Sequence, residues 1–291
     1  MSAAAPAAAP APYSDDVCSG AAAAAYATFR PRYPDQLYHL ILSRLPEPSH
    51  RGLAVDVATG SGQAATALAP HFRRVLATDA NAAQLRHATP AANVEYARGD
   101  AHDVALPDGA ADAVTVASAL HWLELRRFYG EVRRVLKPHG VFAAWAIPLG
   151  LAAIEVPAAP RAAPGCGAAL RRIYDDLGPF WDERKRSADR MYRGLEPSAD
   201  EFGSVELHEL ECPAELTPEQ LVGYVSSWSA YAICRKTHPD RPDPLAEFRR
   251  ALLDALAAEG AAPDTTLVAR IPLCLILAQH PVPLPPSRAG S

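Results

Sequence analysis

The chain has 291 residues, 49% of them hydrophobic, and a formal net charge of −5 at pH 7. That length allows one large domain or two small ones, and the hydrophobic content is sufficient for a buried core. The negative charge gives no electrostatic attraction to nucleic acid or to an anionic membrane, so we expect neither as a partner.

Five cysteines are scattered widely along the chain, at Cys18, Cys166, Cys212, Cys234 and Cys274. They form no C-x-x-C motif, so we predict that the protein holds no metal. Dispersed cysteines in a chain of this size are typical of reduced, intracellular proteins. The sequence also lacks the early positive charge of a presequence and the run of ~20 apolar residues that spans a bilayer. These features predict a cytoplasmic location.

Low-complexity segments lie at both ends of the chain. Residues 1–19 are rich in alanine and proline, and residues 280–291 are rich in proline, which is typical of disordered tails. Residues 20–279 are expected to form a single domain, and they contain no internal repeats.

Strands and helices alternate in the first half of this domain. Strands are predicted at 53–58, 74–79, 94–99, 113–118 and 140–147. Helices are predicted at 34–45, 62–70, 81–88 and 124–136. The strands are almost continuously apolar, as expected where helices cover both faces of a parallel sheet. The alternation predicts an α/β fold with a doubly wound, mostly parallel sheet.

The pattern changes after Ile147. Residues 148–168 are rich in proline, alanine and glycine and predict a loop. Further helices are predicted at 167–193, 217–233 and 243–259, and further strands at 204–211 and 266–278. These bring the predicted sheet to seven strands, with a helical insertion or cap at about 150–200 and 215–235. Pro272, within the last strand, indicates a bulge or an edge position.

A glycine-containing turn follows the first strand. Gly60 and Gly62 leave no side chain between the backbone and a ligand, and the next helix directs its free N–H groups toward the same point. Nineteen residues after Gly60, Asp79 ends the second strand, a spacing at which an acidic residue accepts hydrogen bonds from a ribose hydroxyl. The turn therefore predicts a site for a nucleoside cofactor.

Three features bear on the identity of that cofactor. Residues 60–65 satisfy the dinucleotide pattern G-x-G-x-x-G/A, which asks for few residues. Asp56, four residues before Gly60, would repel a pyrophosphate but could face the ammonium group of S-adenosylmethionine. Asp100 ends the third strand, where its carboxylate can accept from an adenine amino group beside the Ala101 N–H. These carboxylates favour S-adenosylmethionine over a dinucleotide.

At these residues the chain resembles the class I S-adenosylmethionine-dependent methyltransferases of the small-molecule type. The matching segments are Asp56–Gln63, the acidic Asp79, Gly99–Ala101, His121–Trp122 and Arg134–Gly140. Ala58 departs from the family pattern, which has glycine at that position. The resemblance implies a Rossmann-like methyltransferase fold and S-adenosylmethionine as cofactor. It implies these cofactor-binding residues: Asp56, Ala58, Gly60, Gly62, Gln63, Asp79, Ala80, Asp100, Ala101, Ala117 and Arg30.

A narrower resemblance lies in the N-terminal segment 26–34, which is similar to the signature of the trans-aconitate and cantharidin methyltransferase group with its plant and fungal relatives. Several members of that group methylate small carboxylic acids, so the resemblance implies O-methylation of a carboxylate. Arg30 would pair with a carboxylate of the cofactor or of the substrate. The candidate substrate-binding residues are Tyr26, Tyr33, Trp122, Trp228 and Tyr231.

Methyl transfer is an in-line displacement, so the protein has to align the reacting atoms and exclude water. A carboxylate is already ionised at pH 7 and needs no general base, whereas an alcohol acceptor would need one. His121 is the one candidate for a base or a positioning residue. The basic run at 184–186 is interleaved with acidic residues and predicts a solvated helix face.

Several alternatives stay open at this point. The acceptor can be a protein or another macromolecule, and the chain can be a non-catalytic cofactor-binding protein of the same fold. A nicotinamide-dependent oxidoreductase is a further alternative, against which Asp56 argues. We expect a monomer or a homodimer that acts on a small-molecule acceptor.

Overall fold

The structure is a computed structural model that describes residues 29–47 and 51–284. The predicted tail at 1–19, the signature residue Tyr26 and the end of the C-terminal tail lie outside these residues. None of the helices within the described part of the chain combines the length and the apolarity that crossing a bilayer requires.

The helices are α1 (Asp35–Ser43), α2 (Gln63–Leu68), α3 (Ala82–Leu85), α4 (Leu125–Val135), α5 (Ala163–Asp176), α6 (Arg186–Asp189), α7 (Pro218–Ser226), α8 (Ser229–Thr237) and α9 (Pro244–Ala257). The strands are β1 (Leu53–Val57), β2 (Arg74–Asp79), β3 (Val94–Arg98), β4 (Ala111–Ala117), β5 (Leu136–Ala146), β6 (Ala153–Glu155), β7 (Phe202–Leu216) and β8 (Leu267–Pro281).

The strands form one sheet in the order β3-β2-β1-β4-β5-β8-β6, with β7 also paired to β8. Strands β1 to β5 run parallel, whereas β8 is antiparallel to β5, β6 and β7. Strand order reverses between β1 and β4, and ligands of open α/β sheets bind at the carboxyl ends of the strands beside such a reversal. The predicted α/β class is therefore confirmed, with the short β6 as an additional strand.

Helices cover both faces of this sheet, and alternate residues of β1 show the two layers. Ala54 belongs to an apolar cluster with α1, α2, α5, α7 and α9, whereas Val55 and Val57 belong to a second cluster with α4. Trp145 of β5 is fully buried in the first cluster. The rings of Tyr33 and Tyr38 meet it edge-on at centroid distances of 5.4 and 6.3 Å.

For Pro272 in the long strand β8, the sequence predicted a bulge or an edge position, and the structure shows the edge position. The strand pairs with β7 along its full length, and the register is unbroken at Pro272, so no bulge forms there. On its other edge, β5 pairs with residues 274–279 and β6 with residues 268–270. Pro272 therefore lies where that edge is locally unpaired. The strand continues to Pro281, so the predicted tail begins too early at 280.

The segment after β5 is more broken than predicted. Residues 148–168 contain β6 and the start of α5 and are not all loop. The predicted helix 167–193 ends at Asp176, because Gly178 and Pro179 follow, and only short turns and α6 continue it. The predicted helix 217–233 is divided into α7 and α8. These segments carry the residues that cover the carboxyl ends of β4 and β5.

Candidate active site

A cavity of about 430 Å³ opens at the carboxyl ends of the parallel strands. Gly60 follows β1, Asp79 ends β2, Asp100 follows β3 and Ala117 ends β4. The cavity therefore crosses the point where strand order reverses, where ligands of this architecture bind. Its size lies within the range of roughly 300–1,000 Å³ that is usual for small-ligand sites.

The turn after β1 has left-handed backbone at three positions, Ala58 (φ 53°), Gly60 (φ 58°) and Gly62 (φ 80°). Ala58 and Gly60 line the cavity, but Gly62 does not. A Cβ at Gly62 would lie 2.1 Å from the hydroxyl oxygen of Tyr96. Gly62 is thus required by the packing of Tyr96 and by the turn, since only glycine adopts this backbone without strain.

Asp79 is fixed by two backbone hydrogen bonds. The Gly60 N–H donates to its Oδ2 over 2.9 Å, and the Asn81 N–H donates to its Oδ1 over 2.8 Å. Burial raises the pKa of this carboxyl, and the two hydrogen bonds partly oppose that shift. Each oxygen retains acceptor capacity toward the cavity that Asp79 lines, so the carboxylate can still accept from hydroxyl groups.

Asp100 is oriented by His102, which the sequence analysis did not identify. Oδ1 of Asp100 accepts from the His102 backbone N–H at 2.9 Å and lies 2.8 Å from its ring Nδ1. The Nε2 atom of His102 accepts from the Glu124 N–H at 3.1 Å, so Nδ1 carries the proton. Hydrogen bonds from His102 lower the pKa of Asp100. Asp100 is therefore a fixed, ionised acceptor at the cavity wall.

Asp56 does not line the cavity. Its side chain is fully buried, and its two oxygens accept from the Thr115 hydroxyl at 2.7 Å and the Thr59 hydroxyl at 2.5 Å. Burial raises its pKa to about 6. Direct contact with an ammonium group would require these bonds to rearrange, so in this structure Asp56 instead ties the turn after β1 to β4.

His121 and Trp122 lie in a 3₁₀ turn after β4, and both line the cavity. The Nδ1 atom of His121 is 3.0 Å from the hydroxyl of the fully buried Tyr192. Burial, with a contribution from Lys185, lowers the pKa of His121 to about 3. The imidazole is therefore neutral at pH 7 and a weak base. The Arg184 guanidinium lies over the Trp122 ring, 5.1 Å from its centroid.

The wall also contains an aromatic cluster formed by Tyr174, Trp181 and Trp228. Lys185 also lines the cavity there, with Nζ 4.7 Å from the Trp181 ring centroid and 3.0 Å from Oδ1 of Asp189. The prediction that the basic run 184–186 lies on a solvated helix face is therefore wrong for Lys185. Its ammonium group lies over aromatic rings.

Three other predicted residues lie beside the cavity without lining it. The Gln63 Nε2 donates to the Pro31 carbonyl over 2.8 Å and so ties the N-terminal segment to α2. The Tyr33 hydroxyl is 3.5 Å from the Ser118 Oγ, and Ser118 itself lines the cavity. The Tyr231 hydroxyl donates to Asp243 over 3.3 Å, and Tyr231 packs against the apolar cluster that contains Trp228.

Most of the predicted site residues meet at this cavity: Arg30, Ala58, Gly60, Asp79, Ala80, Asp100, Ala101, Ala117, His121, Trp122 and Trp228. The sequence analysis missed further lining residues, among them Asn81, Gln84, His102, Ser118, Tyr174, Trp181, Lys185 and Tyr224. Those that directly follow β2, β3 and β4 could have been found from their place after a strand. The residues of the later segment carry no comparable signal.

Comparisons with known proteins agree with this geometry. The family profile described as Methyltransferase domain matches residues 55–144. A Dictyostelium discoideum protein named as a methyltransferase is 32% identical over 247 residues, which cover 84% of this chain and 89% of the relative. A Saccharomyces cerevisiae protein named as an S-adenosylmethionine-dependent methyltransferase is 24% identical over 246 residues, which cover 75% of this chain and 82% of the relative. A solved methyltransferase structure from Anaeromyxobacter dehalogenans has a TM-score of 0.71 and 34% identity. The match covers 87% of this chain and 98% of that structure's chain.

A doubly wound sheet with a cavity at its switch point defines a Rossmann-like nucleoside-binding fold, and the comparisons give the class of enzyme. The chain belongs to the class I S-adenosylmethionine-dependent methyltransferases, as the motifs around Gly60, Asp79 and Asp100 predicted. The narrower similarity to the trans-aconitate and cantharidin group stays a prediction.

Proposed function

We propose that the protein binds S-adenosylmethionine in this cavity and transfers its methyl group to the carboxylate of a small molecule. One observation carries the proposal. The cavity has acidic residues, Asp79 and Asp100, after β2 and β3, and basic residues, Arg30 and Lys185, among its other lining residues. A nucleoside fits the acidic residues, and the two basic residues fit two anionic groups, the methionine carboxylate of the cofactor and the carboxylate of the acceptor.

The lining residues fit the cofactor. The Asp79 carboxylate is placed to accept from ribose hydroxyls, and Gly60 leaves room for the backbone to approach the ligand. Asp100 and the Ala101 N–H offer an acceptor and a donor to the adenine edge. Arg30, whose guanidinium lies 5.3 Å from the Tyr224 ring centroid, can hold the carboxylate of the methionine end.

When bound, the cofactor supplies a methyl group on positively charged sulfur. The acceptor oxygen forms a bond to the methyl carbon, and the electron pair of the broken carbon–sulfur bond stays on sulfur. The protein's contribution is alignment and exclusion of water. His121 is too weak a base to deprotonate an alcohol efficiently at pH 7, since its pKa is about 3. A carboxylate acceptor removes the need for a base, because it is already ionised.

A small acceptor agrees with how the cavity is covered. Tyr174, Trp181, Lys185, Tyr224 and Trp228 all belong to segments after β5, and they add a wall above the carboxyl ends of the strands. A protein side chain or a nucleic-acid base would have to pass this wall. The net charge of −5 also opposes binding of nucleic acid.

Two measurements test the proposal. Isothermal titration should show binding of S-adenosylmethionine and no binding of NAD, and the reverse result would overturn the cofactor assignment. Incubation with a library of small acids, followed by mass detection of a gain of one methyl group, should give methyl esters. Methylation of amines or alcohols with no ester formed would overturn the carboxylate assignment.

A further inference from the structure

The later segment of the chain builds a second region of the cavity that the cofactor motifs do not explain. The aromatic cluster of Tyr174, Trp181 and Trp228 is closely packed, with ring centroids 5.3 to 5.7 Å apart. A Cβ at Gly150 would lie 2.4 Å from the Tyr174 ring, so the ring packs closely against the Gly150 backbone. The cluster is thus a preformed wall.

Lys185 is anchored within this wall. Its Nζ lies 4.7 Å from the Trp181 ring centroid and 5.5 Å from that of Tyr174. It also lies 3.0 Å from Oδ1 of Asp189, whose Oδ2 accepts from the Tyr174 hydroxyl. An ammonium group has three donors, so the bond to Asp189 leaves donor capacity toward the cavity that Lys185 lines.

The charge of the ligand follows from this arrangement. Aromatic walls often bind cations, but here the Lys185 ammonium already occupies the cation position over Trp181 and Tyr174. A second cation would be repelled by Lys185 and by Arg30, which lines the same cavity. Burial lowers the pKa of the Lys185 ammonium, and the Asp189 carboxylate partly opposes that shift. An anionic group in the cavity would be attracted by Arg30 and would favour the charged form of Lys185.

The rest of the ligand has to match an apolar surface. Beside the cluster, the wall continues with Ile147 and Leu149. A second or third carboxylate against these side chains would lose its hydration without gaining a partner, which is costly. A flat ring gains contact area and favourable edge or face packing against the cluster instead.

We propose that Lys185 and the aromatic cluster form the acceptor subsite, and that the acceptor is an aromatic or ring-conjugated monocarboxylic acid. The carboxylate pairs with Lys185, near His121 and Trp122, and the ring lies against Tyr174, Trp181 and Trp228. This inference rests on the proposed function and names the acceptor class within it.

The first test compares acceptors on the intact protein. Benzoate and cinnamate should be methylated with kcat/KM at least tenfold above that of butanoate and of propane-1,2,3-tricarboxylate. A preference for the tricarboxylate would overturn the inference while leaving the proposed function intact. Absence of S-adenosylmethionine binding, or of any ester product, would instead contradict the proposed function itself.

The second test uses matched variants at neighbouring positions. Lys185→Met keeps the stem and removes the charge, so KM for benzoate should rise at least tenfold with kcat and cofactor affinity little changed, and Lys185→Arg should restore part of the loss. Arg186→Met removes an adjacent cation that pairs with Glu183 and does not line the cavity, so its KM should equal that of the unmodified protein. Equal KM values for Lys185→Met and Arg186→Met would overturn the inference.

A binding measurement covers the case in which Lys185→Met unfolds because Asp189 loses its partner. Trp181→Leu leaves the ion pair between Lys185 and Asp189 in place and removes one ring of the wall. Quenching of tryptophan fluorescence by benzoate, with S-adenosylhomocysteine saturating, should give a dissociation constant at least fivefold higher in Trp181→Leu. An unchanged constant would overturn the ring contact.

Discussion

The Gly60 backbone N–H donates a hydrogen bond to Oδ2 of Asp79 over 2.9 Å, so the turn after β1 is held by the carboxylate that ends β2. The left-handed backbone of Gly60 directs this N–H toward the neighbouring strand. One carboxylate therefore fixes the shape of the glycine turn and presents acceptors to the cavity. Removal of Asp79 is expected to affect both.

The first prediction concerns Asp79→Ala. Loss of charge-assisted hydrogen bonds costs roughly 1.5–3 kcal/mol each, so S-adenosylmethionine affinity should fall at least tenfold by isothermal titration. Glu95→Ala on β3 removes an exposed carboxylate paired with Arg74 and serves as the control, with affinity unchanged. An unchanged affinity in Asp79→Ala would remove the ribose assignment.

The second prediction separates Asp100 from Asp103. Both are exposed carboxylates after β3, but Asp100 lines the cavity and Asp103 does not. Asp100→Ala should weaken cofactor binding about fivefold, which corresponds to about 1 kcal/mol for one hydrogen bond. Asp103→Ala should leave it within a factor of about two, by the same titration. Equal losses in the two variants would show that the effect is general electrostatics and not adenine contact.

The half of the site after β1 to β4 was predictable because its signals are local. Apolar strands, a glycine turn and acidic residues at strand ends place Gly60, Asp79 and Asp100 together through the rule that parallel strands end at one edge. The position of Asp56 outside the cavity was not predicted, because the contacts of its side chain depend on the pairing register of β1 and β4. Asp56 pairs across the sheet with Thr115 of β4, which sequence spacing does not reveal.

The other half was not predictable from pattern. Lys185 lies in a run of alternating charges, which is typical of an exposed helix face. It is shielded from solvent because it packs against Trp181 and Tyr174. Trp181 and Trp228 lie 47 positions apart and meet through tertiary contacts at a ring separation of 5.3 Å. No periodic pattern in the sequence predicts this contact between the two rings.

The third prediction concerns the pH dependence of methyl transfer to a carboxylate. Because the pKa of His121 is lowered to about 3 by burial, no inflection in the rate at saturating substrates should trace to it above pH 5. An inflection near pH 6 would belong to Asp56, whose pKa is raised to about 6. That inflection should persist in His121→Gln and vanish in Asp56→Asn. The opposite pattern would identify His121 as a base.

The fourth prediction concerns stability. Burial raises the pKa of Asp56 from 3.8 to about 6, so the folded state holds the proton in a range where the unfolded chain has released it. This residue's contribution to the free energy of unfolding therefore falls as pH rises from about 4 to about 6 and is constant above. The total change is up to about 3 kcal/mol, at 1.36 kcal/mol per pKa unit.

The amide side chain introduced by Asp56→Asn cannot ionise. The free energy of unfolding of this variant, minus that of the unmodified protein, should therefore increase by up to about 3 kcal/mol from pH 4 to pH 7. Urea unfolding at both pH values measures the difference. Asp264→Asn, in an exposed turn, controls for the loss of a carboxylate. A pH-independent difference between Asp56→Asn and the unmodified protein would contradict the raised pKa.

The fifth prediction concerns Ala58, which departs from the family pattern described above and has left-handed backbone with φ 53°. That conformation costs a non-glycine residue roughly 1–2 kcal/mol, whereas glycine loses about 0.4–1 kcal/mol through the greater freedom of its unfolded chain. Ala58→Gly should therefore raise the free energy of unfolding by up to about 1.6 kcal/mol, or leave it unchanged. Ala168→Gly makes the same chemical change at an exposed position within α5 and should lower it by about 1 kcal/mol. Urea unfolding of both variants at pH 7 gives the comparison. An equal loss in both would mean that Ala58 is not strained, and that its methyl group contributes packing at the cavity wall.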